Sequence, residues 1–272
     1  MSKTLHLIAM LAALLGGAAA DAAEVVNLYR AKAIVTGQTE KNRPAGFAQC
    51  LTDVLVKASG DPRLLDDPRV AAMAKDAAAY ISEFSYRDRM EGIPVHDEQG
   101  TRDRPYDLTC DFYPDKVNAA LQNLGRTLWS PSRPRLAVFL AVRNGPSTYV
   151  LTDDGKRGPG QRESFLAASW KLGVPIDLPK QAELAAAGLG FDTLAATDLA
   201  SLDAAAKTSG ADQALAGSME FSDAAHGWIA EWRLAAQGRE HRWGVRGVNF
   251  DEVFRVGLRG AAQILSGNGA PG

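Results

Sequence analysis

Apolar positions along the chain change period several times, and each change marks an element. Phe47, Cys50, Leu51, Val54, Leu55 and Ala58 recur at helical spacing, which predicts a helix over 44–58. Pro44 suits its first turn, and Ser59-Gly60-Asp61-Pro62 ends it. Ahead of it, Val25, Leu28 and then Ala31, Ala33 and Val35 give partial alternation, predicting a strand over 25–35. A second helix is expected over 68–80 through Val70, Met73, Ala77 and Tyr80. Ile81 to Met90 alternates like a strand, and 91–104 is polar with Gly92, Pro94 and Gly100, a hairpin or mobile loop. Leu108, Cys110 and Phe112 alternate with Thr109 and Asp111 in a strand over 105–113, and a helix follows to Leu128. The order is β-α-α-β-β-α.

Trp129-Ser-Pro-Ser-Arg-Pro134 interrupts this pattern. Each proline lacks an amide donor and restricts the residue before it, so no helix crosses the segment. The run Leu136–Val142 then reads as a buried strand. A short strand at 149–151, a helix over 162–172 and a Pro-containing edge strand at 174–179 follow. Ala-rich helices are predicted at 180–187 and 198–209. Three strands at 213–221, 228–236 and 242–248, joined by short turns, suggest an antiparallel meander before a last helix over 251–265.

The predicted fold class is α+β: two small α/β units, each a mixed or antiparallel sheet with packed helices. The units are 24–129 and 135–266, separated by a proline hinge at 130–134 and followed by a disordered tail at 267–272. The first 22 residues have the form of a cleavable signal peptide: a basic start at Lys3, an apolar run from Leu5 to Leu15, and small residues up to Ala20 and Ala22. That run falls short of the roughly 18 to 20 residues that span a bilayer. A periplasmic location is expected, with no transmembrane span after signal removal.

Export changes how the two cysteines read. Cys50 on a helix face and Cys110 on a strand face both point toward one small core, so they form a disulfide candidate in an oxidising compartment. Two buried thiols that never meet are the alternative. A formal net charge of -2 offers no basic field for nucleic acid.

Catalytic signatures are missing. His96, His226 and His241 share no metal-ligand spacing; the first two read as solvated and His241 as surface. No metal and no cofactor are expected. Gly155, Gly158 and Gly160 lie near Lys156, Arg157 and Arg162, but the spacing fits no nucleotide fingerprint and a solvated loop is the default. Asp66-Asp67 and Asp153-Asp154 suit turns and helix starts. Trp228 and Trp232 share one strand face, with Trp243 beside them; they are either core under helices or a candidate binding groove for peptide or glycan.

Leu28-Tyr-Arg-Ala31, Val54-Leu-Val-Lys-Ala-Ser-Gly-Asp61, and Trp129 with Arg133-Pro134 before an apolar strand resemble an uncharacterised family of exported proteobacterial proteins, domain of unknown function 2066. Ser209-Gly-Ala-Asp212, Gly217 and Trp228/Trp232 fit it more loosely. The resemblance implies a periplasmic location and brings no catalytic residues. In element order the second unit is similar to small α/β domains of envelope assembly factors, such as the N-terminal domain of the Tol-system propeller protein. The expected function is a non-enzymatic binding or assembly factor of the cell envelope, with an envelope protein as partner. The alternative is a small-ligand-binding protein or hydrolase with its site in the interdomain cleft.

Overall fold

A computed structural model describes residues 26–93 and 104–271. Residues 1–25, which include the expected signal peptide, His96 and most of the 91–104 loop lie outside the described residues.

The first unit holds β1 (Arg30–Thr36), α1 (Arg43–Ser59), α2 (Pro68–Ala74), β2 (Ile81–Asp88), β3 (Pro105–Phe112) and α3 (Pro114–Asn123). Its sheet is antiparallel in the order β1-β3-β2. Strand β1 starts five residues later than predicted because the Asn27 side chain accepts the Tyr29 N–H and turns the chain. The register Ala31↔Cys110 and Ala33↔Leu108 places both pairs under α1. Helix α1 stops at Gly60, whose φ of 70° caps the helix; a Cβ there would stand 2.6 Å from Ser266 Cβ. The predicted 68–80 helix is two pieces, α2 and a 3₁₀ turn over Ala77–Tyr80, and α3 ends before Gly125, which takes φ 69°.

The second unit runs β4 (Leu136–Asn144), β5 (Ser147–Val150), α4 (Pro159–Leu172), β6 (Ile176–Asp177), α5 (Gln181–Ala186), α6 (Phe191–Leu194), α7 (Leu199–Thr208), β7 (Gln213–Ser222), β8 (Gly227–Ala236), β9 (Arg239–Val248) and α8 (Phe250–Leu265). Its sheet order is β5-β4-β7-β8-β9, with β6 parallel beside the start of β4. Strands β4 and β7 are parallel, and β7-β8-β9 form the antiparallel meander. Burial on both faces explains the continuous apolar run of β4. Leu136, Val138, Leu140 and Val142 join the core beneath α4 and α8, whereas Ala137, Phe139 and Ala141 pack with Leu184, Leu194, Leu199 and Leu202 on the other side.

The α4/α8 core does not end at the unit boundary. It continues through α1 into the small sheet, so α1 is apolar on more than one side: Val54, Leu55 and Val56 are all buried. Within the C-terminal stretch expected to be disordered, Asn268 is held in place. Asn268 donates its N–H to Gln263 O and its side-chain amide to Ser59 O, and its own carbonyl accepts from Arg63. These contacts satisfy carbonyls at the ends of α8 and α1.

Candidate functional site

Strand β1 is an edge of the small sheet. Phe112 N–H donates to Tyr29 O and Gly37 N–H to Arg104 O, so alternate residues Ala31, Ala33 and Val35 use their backbone groups on β3. Lys32 and Ile34 therefore turn their N–H and C=O toward the free edge. The edge is closed at each end by a side chain: Lys57 Nζ donates to Arg30 O at 2.8 Å, and Asn42 Nδ2 donates to Thr36 O. Between these ends the edge faces a cleft of about 820 Å³, whose far wall is α4 and the first turn of α8. A second cavity of about 380 Å³ continues along β1 beside the start of α1 and shares Ala33, Ile34 and Gln49 with the first.

Two large apolar side chains open into the main cleft, Ile34 at 65% exposure and Trp170 at 43%. The Trp170 ring also carries cations, with Lys32 Nζ 4.7 Å and Lys57 Nζ 4.3 Å from its centroid. The remaining cleft charges are mostly neutralised locally: Arg87 pairs with Asp107 at 2.5 Å, Lys171 with Asp53 at 2.9 Å, and Arg255 with Glu252 at 2.6 Å. Ser164 Oγ donates to Asp251 Oδ1 at 2.5 Å, tying α4 to the first turn of α8. Among the described residues no histidine or lysine hydrogen-bonds this serine, so it lacks the usual activating base.

Near Trp170, a polar junction joins the C-terminal ends of α1 and α4. Arg133 is 1% exposed. It donates to Lys57 O at 2.6 Å, Leu172 O at 3.1 Å, Gly173 O at 2.6 Å and Ser130 O at 3.2 Å, and its guanidinium lies 3.8 Å from the Trp129 ring centroid. These carbonyls belong to the last turns of α1 and α4 and to the connecting segment. One cation thus satisfies two helix C-termini, where the macrodipole is negative. Burial pulls its pKa down to about 9, which leaves it charged near neutrality. Lys57, 2% exposed, is pushed down to about 8, first by burial and then by the Arg133 charge. The Pro-rich connection expected to act as a hinge is therefore anchored to both units through Arg133.

The structure distributes the sequence candidates differently. Trp228, Trp232 and Trp243 are core and offer no groove. Trp232 is fully buried, with Phe165 edge-on at 5.8 Å, and a Cβ at Gly217 or Gly257 would stand 2.5 Å from its ring. Among the described residues its Nε1 finds no partner, whereas Trp243 Nε1 donates to Val256 O at 3.1 Å. Cys50 and Cys110 are buried free thiols in contact; the thiol–thiol hydrogen bond, together with burial, raises the Cys50 pKa. His241 is buried, contrary to the surface expectation, and accepts from Arg239 at 3.3 Å. His226 is an exposed turn residue with φ 52°. In the glycine loop, Arg157 donates to Thr148 O and Arg162 to Arg157 O, so both cations fasten the loop itself. Asp67 caps α2, and Asp154 accepts the Gln181 N–H at the start of α5.

The residues missed by sequence reasoning are Lys32, Ile34, Trp170 and Arg133. An isoleucine on the polar face of an alternating strand was the available signal for Ile34. Among the described residues no group of three or more His, Cys, Asp or Glu side chains is placed to hold a metal, and no helix is long and apolar enough to cross a membrane.

A family model described as a domain of unknown function (DUF8605) matches residues 22–130, the span of the first unit. No curated protein and no solved structure matches the chain.

Proposed function

We propose that this is an exported, non-enzymatic binding protein of the cell envelope, and that its binding site is the cleft between β1 and α4. The observation that carries the reading is the pairing of exposed Ile34 and Trp170 across a cleft that runs along an unpaired strand edge. Exposed apolar side chains beside unused backbone groups suit the capture of a partner. The cleft's ion-paired side chains do not form a nucleophile with a base. The N-terminal pattern of Lys3, the 5–15 apolar run and the Ala-rich end supports periplasmic delivery. Kinship with the exported family of domain 2066, and through it a role in envelope assembly, belongs to the same proposal.

The test is photo-crosslinking in intact cells from Ile34, with Phe221 on β7, in the other sheet, as an exposed control. The proposal expects one envelope protein to be captured from position 34 and not from 221, with loss of that adduct in Trp170→Asp. Equal labelling from both positions would refute the cleft as the binding site.

A further inference from the structure

We propose that the free edge of β1 takes an extended peptide as a fourth strand of the small sheet, with an acidic residue opposite Lys32 and an apolar residue opposite Ile34. This rests on the cleft being the binding site and adds what occupies it.

Three observations converge on one occupant. Lys32 and Ile34 both direct N–H and C=O groups to the open edge, whereas Arg30 O and Thr36 O are already occupied by Lys57 and Asn42. The vacant stretch is therefore short and bounded, which fits a few residues of an extended chain. Space continues along that stretch, because the two cavities share Ala33 and Ile34. Helix α4 lines the cleft opposite β1, so a chain laid along this edge lies between β1 and α4.

Side-chain chemistry supplies the specificity. Residues directly opposite in a strand pair share one face with Cβ atoms roughly 4.5–5.5 Å apart. Lys32 makes no ion pair with the described residues and its ammonium is held over Trp170, leaving a positive charge facing the slot. Ile34, two positions on, is on the same face and mostly exposed. An apolar residue two positions from a carboxylate complements both. The same charge disfavours self-pairing: two β1 edges aligned about Ala33 would set each Lys32 against an Ile34.

The test uses a fluorescein-labelled peptide, Ser-Val-Thr-Glu-Thr-Val-Ser, which presents Glu and Val in either strand direction, with residues 23–272 of the protein. Saturable binding by anisotropy is expected, weakened about ten-fold or more when the peptide Glu becomes Lys. Lys32→Glu should reverse that preference. In an antiparallel strand the peptide Glu amide faces β1 and the Thr amides face away, so N-methylation of Glu should abolish binding and N-methylation of Thr should not; in a parallel strand the two effects exchange. Equal binding of the two methylated peptides would overturn strand addition while leaving the cleft reading intact if Ile34→Asp still blocks it. Failure of the unmodified peptide to bind would also overturn strand addition, and crosslinking from Ile34 would then decide the cleft reading alone.

Discussion

Arg133 Nη2 donates to the main-chain carbonyl of Lys57 at 2.6 Å, while Nη1 of the same side chain reaches Gly173 O at 2.6 Å. The last turns of α1 and α4, from different units, thus share one buried cation. Truncating it leaves several buried carbonyls without a donor, each costing about 1–3 kcal/mol if water cannot replace the bond. Arg133→Ala should therefore destabilise the protein by roughly 3 kcal/mol or more in urea denaturation. Arg133→Lys should recover little, because a single ammonium cannot span the four carbonyls that the guanidinium reaches.

Lys57 gives the fold a pH dependence of definite sign. Its folded pKa, about 8, lies below the ordinary 10.5, so unfolding takes up a proton between those values. Below pH 8 both states carry the charge and the full penalty applies. As pH rises from about 8 to 10.5 the penalty fades, and above 10.5 it is gone. The stabilisation recovered over this window is roughly 3 kcal/mol. Comparing wild type with Lys57→Met by urea denaturation at several pH values should show a rising difference across the window and a flat one below it.

Cys50 and Cys110 lie in contact between α1 and the centre of the small sheet. If the chain is delivered to an oxidising compartment, as proposed above, we expect them to be joined. The native mass should then be two hydrogens below that of the reduced form, and reduction should cost about 4 kcal/mol in the chain-entropy description. Identical masses before and after reduction would leave two buried thiols, which should resist alkylation until the protein unfolds.

The Trp232 pocket depends on missing side chains. A methyl at Gly257 has to enter the indole's volume, so Gly257→Ala should destabilise by roughly 1–3 kcal/mol. Combining it with Trp232→Phe should restore part of that loss, since the smaller ring yields space and removes an Nε1 that has no partner among the described residues. A double-mutant cycle by thermal or urea denaturation measures the coupling.

Much of the architecture was legible where one physical cause dominates. Pro44 and Gly60 bracket α1, the unbroken run of β4 marks a strand buried on both faces, and the turns at His226 and Gln237 separate the meander. The α+β class follows from these. The junction was not legible, because Ser-Pro-Ser-Arg-Pro reads locally as an exposed polar turn; Arg133 becomes buried only when two helix C-termini converge on it. Val54-Leu55-Val56 did hold a clue, since three successive apolar residues on a helix imply neighbours on more than one side. The tryptophans were ambiguous for a related reason: strand alternation tells which residues share a face, and only α8, with Gly257 and Gly260 against the rings, decides that the face is covered.

The cleft was harder still. Alternation in Arg-Ala-Lys-Ala-Ile-Val-Thr places Lys32 and Ile34 together on one face of β1, but which strand flanks β1 is a matter of topology. The edge becomes visible only once β3 is seen to pair on one side and α4 to stand off on the other.

Backbone amide exchange along β1 tests the central claim most directly. With the Val/Glu peptide bound to residues 23–272, exchange at Lys32 and Ile34 should slow at least about ten-fold. Ala31, Ala33 and Val35, already bonded to β3, and the β9 edge should change little. Unchanged exchange at Lys32 and Ile34 with peptide bound, or slowing spread evenly over both sheets, would contradict a strand added at this edge.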